Sequence, residues 1–145
     1  FCVSVVFAIE KPQERIMETQ PGHFHWNELM TRDLAAAKAF YGAVCGWTYD
    51  EMEVDGMTYT LIMDGEQPVG GMFDMGDDPE FDKAPVQWVG YVSVKDPDAA
   101  CAAVKAAGGM VVKEPFDVTG VGRIGVTMSK EGAFLGVMKP VPMEG

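Results

Sequence analysis

Residues 33–50 read DLAAAKAFYGAVCGWTYD, and residues 96–113 read DPDAACAAVKAAGGMVVK. With Asp33 set over Asp96, an Ala-rich helix-like run follows in both stretches. The closing Gly46 then meets Gly109, and the apolar Trp47 meets Met110. The match continues downstream: Gly56-MTYTLIM lies over Gly122-RIGVTMS, and PVGGM (68–72) lies over FLGVM (134–138). An internal repeat decides the fold class before any single motif does. Each copy reads as strand, helix, strand, strand, strand. The expected fold is therefore α+β, with two βαβββ units in one chain whose curved mixed sheets enclose a central cleft. Clefts between such units are where ligands sit.

The local signals agree with this reading. HFHWNELMT (23–31) has strand character, and Asp33 is a good helix N-cap. The helix that follows places Leu34, Ala37, Tyr41 and Val44 on one stripe, with Phe40 beside it, and Gly46 closes it. WTYDEMEV (47–54) and MTYTLIM (57–63) flank Asp55-Gly56, a strong two-residue hairpin turn. Asp64-Gly65 then turns into QPVGGMFDM (67–75). In the second unit, VQWVGYVSV (86–94) is the first strand, and Asp96 caps a helix with Pro97 in its first turn. MVVKEPF (110–116) reads as a strand broken by Pro115. DVTGVG (117–122) reads as a loop. RIGVTMS (123–129) and AFLGVMKP (133–140) complete the unit across a Lys130-Glu131-Gly132 turn.

At 145 residues the chain suits one domain made of two half-domains. The domain spans 17–145, with repeat units at about 23–75 and 86–140 joined by the acidic, Pro-bounded linker GDDPEFDKAP (76–85). Residues 1–16 read as an N-terminal extension, or alternatively as an added edge strand. Their apolar run FCVSVVFAI is too short to span a membrane and lacks the flanks of a secretory signal. The formal net charge is −11, and no Lys or Arg falls between Asp50 and Asp82. Such a field repels phosphate backbones and disfavours nucleic acid, whereas a cationic small molecule would be attracted. Cys2, Cys45 and Cys101 fit no C-x-x-C pattern and read as reduced, buried thiols of a cytoplasmic protein. No nucleotide-binding glycine motif, nucleophile elbow or zinc-protease motif occurs.

A strand from Trp26 to Thr31, then Asp33, then AFYGAVCGW resembles the "D…A..FY…LGW" signature of the glyoxalase, bleomycin-resistance and extradiol-dioxygenase superfamily, also called the vicinal oxygen chelate superfamily. GYVSVKDPDAACAAVKAAGG and GRIGVTMSKEGAFLGVMKP resemble its C-terminal half. The resemblance covers about residues 23–140 and implies a homodimer, as in many relatives. It also implies a test. Metal-using members bind a divalent ion through four residues, one in the first strand and one in the last strand of each unit. Here those positions hold Trp26, Val89, Gly70 and Gly136, none of which offers the imidazole, thiolate or carboxylate such ions need. The expectation is no metal and no cofactor, which disfavours glyoxalase I, thiol-transfer and ring-cleaving dioxygenase chemistry. His23 and His25 share a strand face, and His25, next to Trp26, points away from the ligand face.

If Trp26 faces the cleft, strand alternation brings Glu28 and Met30 with it. Val89, Tyr91 and Ser93 follow from the second unit, and Gly70, Met72, Gly136 and Met138 from the last strands. The glycines are expected to leave open space. Glu28 is the candidate catalytic residue. In an apolar groove its carboxyl would hold a proton more tightly and serve as general acid or base, with Tyr91 paired across the pseudo-dyad. The alternative is a structural Glu28 that bonds a strand edge, Arg32 or Arg123. Trp26 stacks on a ligand or joins the core, and Trp88 reads as core. The leading function is a metal-independent small-molecule-binding protein that sequesters or carries an aromatic or cationic compound. The alternatives are a metal-free isomerase or lyase acting on a small carbonyl compound with Glu28 as general base, and an interaction module whose groove is filled by its own side chains.

Overall fold

A computed structural model describes residues 20–141; the segment 1–16 lies outside them. The element order is β1 (Phe24–Thr31), α1 (Leu34–Cys45), β2 (Thr48–Val54), β3 (Met57–Asp64) and β4 (Gln67–Asp74), then β5 (Gln87–Ser93), α2 (Pro97–Ala106), β6 (Met110–Val118), β7 (Gly122–Met128) and β8 (Phe134–Pro140). The two βαβββ units are present as read. The strands form one eight-stranded sheet in the order β2-β3-β4-β1-β5-β8-β7-β6. Within each unit the first strand runs parallel to the last, β1 with β4 and β5 with β8. The units join edge to edge where β1 pairs antiparallel with β5. The pseudo-dyad passes through this seam, with Glu28 opposite Val89 and Trp26 opposite Tyr91.

Helix starts follow the capping residues. Asp33 Oδ1 accepts from the Ala36 N–H at 3.0 Å, and Asp96 Oδ1 accepts from Asp98 and Ala99 at 3.0 and 3.3 Å. Each bond satisfies an N–H that the helix cannot pair itself. Asp55 and Gly56 both take left-handed backbone angles, φ 50° and 80°, as the tight β2–β3 hairpin requires. The Thr119 N–H donates to Asp55 Oδ2 at 3.3 Å. This contact joins the β2–β3 turn to the β6–β7 turn, although these hairpins form opposite edges of the sheet. The sheet must therefore curl on itself, and the cleft is its concave face.

Both helices pack on the other face. Leu29, Ile62 and Met72 form a buried cluster there, covered by Leu34, Ala37, Tyr41, Trp47 and Tyr49. Burial of each such side chain stabilises the fold by roughly 1.5–3 kcal/mol. The α1 stripe holds as far as Tyr41, whereas Val44 and Phe40 are exposed. Strand β6 runs through Pro115 rather than breaking there. It is an edge strand with register shifts on either side of Lys113, and an edge position does not need the missing N–H. Of the two cysteines among the described residues, Cys101 is buried but Cys45 is exposed at the end of α1, contrary to the expectation for both.

The 76–85 linker is firmly held. It contains one turn of 3-10 helix, Pro79–Phe81. Arg32 Nη2 donates to the carbonyls of Phe81 and Ala84 at 2.6 and 2.7 Å. The Phe81 ring packs edge-on against Phe73, and Lys113 pairs with Glu80 at 3.1 Å.

Candidate functional site

Leu29 faces the helices, so alternation along β1 puts Trp26, Glu28 and Met30 on the concave face. A second buried cluster, Val89, Tyr91 and Met138, sits there with Trp26, Met30, Ile124 and Val126 packed against it. Ser93 is buried and by alternation shares this side with Tyr91. Gly136 faces it too, because a Cβ there would overlap the Tyr91 ring.

Two expected members are elsewhere. Met72 belongs to the helix-side cluster with Leu29 and Ile62. A Cβ on Gly70 would meet the Asn27 carbonyl and Ile62, also behind the sheet. The concave positions of β4 are Gly71 and Phe73, since Gly71 is level with Glu28 in the β1–β4 pairing. The cause lies one hairpin earlier. Two residues, Asp55 and Gly56, join β2 and β3, whereas residues 119–121 join β6 and β7. Gly122 therefore already stands in β7, paired with Val118 as Met57 is paired with Val54, and is the mate of Met57 rather than of Gly56. Setting PVGGM over FLGVM is thus one residue out, and Gly71 is the structural mate of Gly136.

At the centre of the concave face, Glu28 is held by two tyrosines. Tyr59 Oη donates to Glu28 Oε2 at 2.7 Å, and Tyr91 Oη donates to Oε1 at 3.2 Å. Trp26 Nε1–H in turn donates to Tyr59 Oη at 3.2 Å. Both glycines make this possible, because a Cβ on Gly71 would overlap the Tyr59 hydroxyl as one on Gly136 would overlap Tyr91. The space expected to be empty beside the glycines is therefore filled by phenol rings. The Glu28–Tyr91 pair is as read from the sequence. Tyr59 is absent from the expected site residues; its structural counterpart in the second unit, Ile124, carries no polar group to mark the position.

Neither arginine reaches Glu28. Arg32 is on the linker carbonyls, and Arg123 pairs with Asp98 at 2.7 Å and Asp117 at 3.3 Å. Burial therefore dominates the carboxyl and raises its pKa above the ordinary value, against the two tyrosine hydrogen bonds, which lower it. Burial also raises both tyrosines, and the adjacent Glu28 charge adds to the effect. They remain protonated donors at neutral pH.

The donor set does not fit a divalent ion. Trp26, Val89, Gly71 and Gly136 carry no metal-binding atom, and the groups near them are one carboxylate, two protonated phenols and an indole N–H, which only donates. Among the described residues, no three His, Cys, Asp or Glu side chains converge.

Two open concavities lie behind the sheet, away from Glu28. One, of about 360 Å³, is lined by Leu29, Thr31, Ala37 and Tyr41. The other, of about 270 Å³, lies between Trp47, Trp88 and Val69. Trp88 is 38% exposed and donates to Tyr41 Oη at 3.1 Å, so it rims this face rather than filling the core as expected.

A curled eight-stranded sheet built from two βαβββ units, with a carboxylate at its seam, defines a class. The family model of the Glyoxalase/Bleomycin resistance protein/Dioxygenase superfamily matches residues 21–134. The chain belongs to this superfamily. It is 39% identical over 126 residues to the Mycobacterium tuberculosis protein named "Putative glyoxylase CFP32", covering 86% of this chain and 47% of that protein. It is 30% identical over 138 residues to "Anthracycline biosynthesis protein DnrV" of Streptomyces peucetius, covering 86% of this chain and 50% of that one. The chain thus spans about half the length of the curated relatives it matches. Among solved structures, a hypothetical protein from Bacillus halodurans aligns with TM-score 0.62 at 11% identity, covering 87% of this chain and 99% of that one. Methylmalonyl-CoA epimerase from Mycobacterium tuberculosis aligns with TM-score 0.53 at 20% identity, covering 90% and 96%. These likenesses concern the fold alone.

Proposed function

We propose that the concave groove binds a small organic molecule without a metal ion, and that the protein sequesters or carries an aromatic or cationic compound. The observation that supports this reading is the Tyr59–Glu28–Tyr91 unit on the concave face, framed by Trp26, Met30 and Phe73. A mostly apolar concave face with a few convergent polar groups is the ordinary form of a ligand site. The name of the Streptomyces peucetius relative, an anthracycline biosynthesis protein, is in keeping with a polycyclic aromatic ligand. A thermal-shift screen tests the reading, with aromatic and cationic compounds in chelator-containing buffer in one arm and divalent metals in chelator-free buffer in the other. A saturable rise with an organic compound supports it, since a ligand at one hundred times its Kd adds about 2.7 kcal/mol. A rise that tracks metal concentration contradicts it.

A second reading has its own observation. The Glu28 carboxyl, buried without a cationic partner, holds its proton more tightly than an ordinary carboxyl. A poised carboxylate suits removal of a proton next to a carbonyl, as in an isomerase or lyase step on a small carbonyl compound. Under this reading, Glu28→Gln keeps binding and abolishes turnover. Under pure sequestration no turnover exists to lose.

A further inference from the structure

The polar floor of the groove has a direction. Every N–H and O–H at its centre is committed inward: Trp26 Nε1–H to Tyr59, and the Tyr59 and Tyr91 hydroxyls to Glu28. An ionised carboxylate offers about four lone-pair sites, and the tyrosines occupy two. What these three residues leave for a ligand is acceptor capacity, on Glu28 and on the Tyr91 oxygen. Lys113, which by register lies on this face, is paired with Glu80 at 3.1 Å. The other polar side chains of β5 on this face, Gln87 and the buried Ser93, can donate as well as accept but carry no positive charge for an anion. The partly exposed side chains around this floor, Trp26, Met30, Ile124 and Val126, form an apolar wall over the buried Val89 and Met138. Such a floor repels a carboxylate or phosphate, which would bring acceptors to acceptors in a low-dielectric setting. A cationic ligand donor favours the ionised form of Glu28, and charge-assisted bonds are the stronger kind.

We infer that the ligand is an aromatic amine of the arylalkyl type, its ring against the apolar wall and its protonated nitrogen donating to Glu28. This rests on the groove-binding reading above and narrows it to one ligand class. The overall charge of −11 acts in the same sense at longer range.

Three probes that share one ring test it: 1-naphthylmethylamine, 1-naphthalenemethanol and 1-naphthoic acid, titrated calorimetrically into the full chain at pH 7.5 in 0.15 M salt with chelator. The expected order is amine, then alcohol, then acid, with the amine roughly tenfold or more tighter than the acid. Glu28→Gln is expected to weaken the amine by about tenfold and to leave the alcohol within about threefold. Equal binding of amine and acid, tighter binding of the acid, or an amine affinity unchanged in Glu28→Gln overturns the inference while the groove reading stands. If the wild-type chain binds none of the three, both fall. The wild-type ratio of amine to acid decides the matter even if Glu28→Gln fails to fold.

Discussion

The phenol ring of Tyr91 lies over Gly136, in the space that a side chain at that position would fill. From there its hydroxyl reaches Glu28. Tyr59 repeats the arrangement over Gly71 from the other half of the sheet. Two structurally equivalent glycines thus admit two tyrosines that are not sequence-equivalent, and the tyrosines converge on one carboxylate at the pseudo-dyad.

Gly136→Ala should therefore act as an overpacking change. Its methyl displaces Tyr91 and breaks the bond to Glu28. Equilibrium urea unfolding should show a loss of about 1–3 kcal/mol. A change within about 0.5 kcal/mol, the range typical of surface substitutions, would contradict the packing described.

Tyr59→Phe and Tyr91→Phe each remove one hydrogen bond from the Glu28 carboxylate without removing a ring. Each should cost about 1–3 kcal/mol. Since both bonds lower the Glu28 pKa, each variant should raise it further. Titration of the Glu28 side-chain carbon by NMR checks this. A Glu28 that titrates in either variant below its wild-type value would refute the assignment.

The same carboxyl sets a sign for stability against pH. Its pKa in the folded chain lies above the unfolded value of 4.5. The folded state then binds this proton more tightly, so the contribution is fully present below the unfolded pKa. It is lost as pH rises through the raised folded pKa. The ionisable groups in contact with Glu28 are Tyr59 and Tyr91, which stay protonated, and Lys113 on the same face is paired with Glu80. Relative to Glu28→Gln, the wild-type chain should lose stability as pH rises through this window and then level off. A difference that is flat from pH 4.5 to neutrality would show that Glu28 titrates as an ordinary carboxyl.

Arg32→Ala frees the Phe81 and Ala84 carbonyls and should loosen the linker across the end of β1 and β4. Each lost bond is worth about 0.5–1.5 kcal/mol. Tryptic cleavage after the exposed Lys83 should accelerate severalfold while the unfolding midpoint falls only slightly. Cleavage at the wild-type rate would mean that Arg32 does not hold this segment.

Much of this was legible in the residues. The repeat placed both helices, the capping Asp33 and Asp96, and the Asp55-Gly56 turn, because these signals are local and act through backbone geometry. Glu28 and Tyr91 were legible because β1 and β5 stand at the same distance before their capping aspartates, so alternation alone sets their face. Gly70 and Met72 fall on the other face because the turn residue Gly56 matches Gly122 in sequence, whereas Gly122 stands in β7 level with Met57, and a one-residue slip flips every side chain to the other face. Trp88 reads as core because large aromatic side chains are usually well buried. The sequence pattern does not show that α1 covers β1 and β4 yet leaves the seam beside it open. Tyr59 depended on a long-range approach to Gly71 that only the folded sheet reveals.

The three tryptophans offer the most direct test, because Trp26 lines the groove whereas Trp47 and Trp88 lie behind the sheet. Their indole N–H signals in a ¹⁵N-labelled sample can be assigned with Trp26→Phe and followed during titration with 1-naphthylmethylamine in chelator-containing buffer. Groove binding without a metal predicts a saturable shift of the Trp26 signal, with the Trp47 and Trp88 signals left in place. Movement confined to Trp47 and Trp88, or a Trp26 shift that appears only when a divalent ion is added in excess over the chelator, would contradict it.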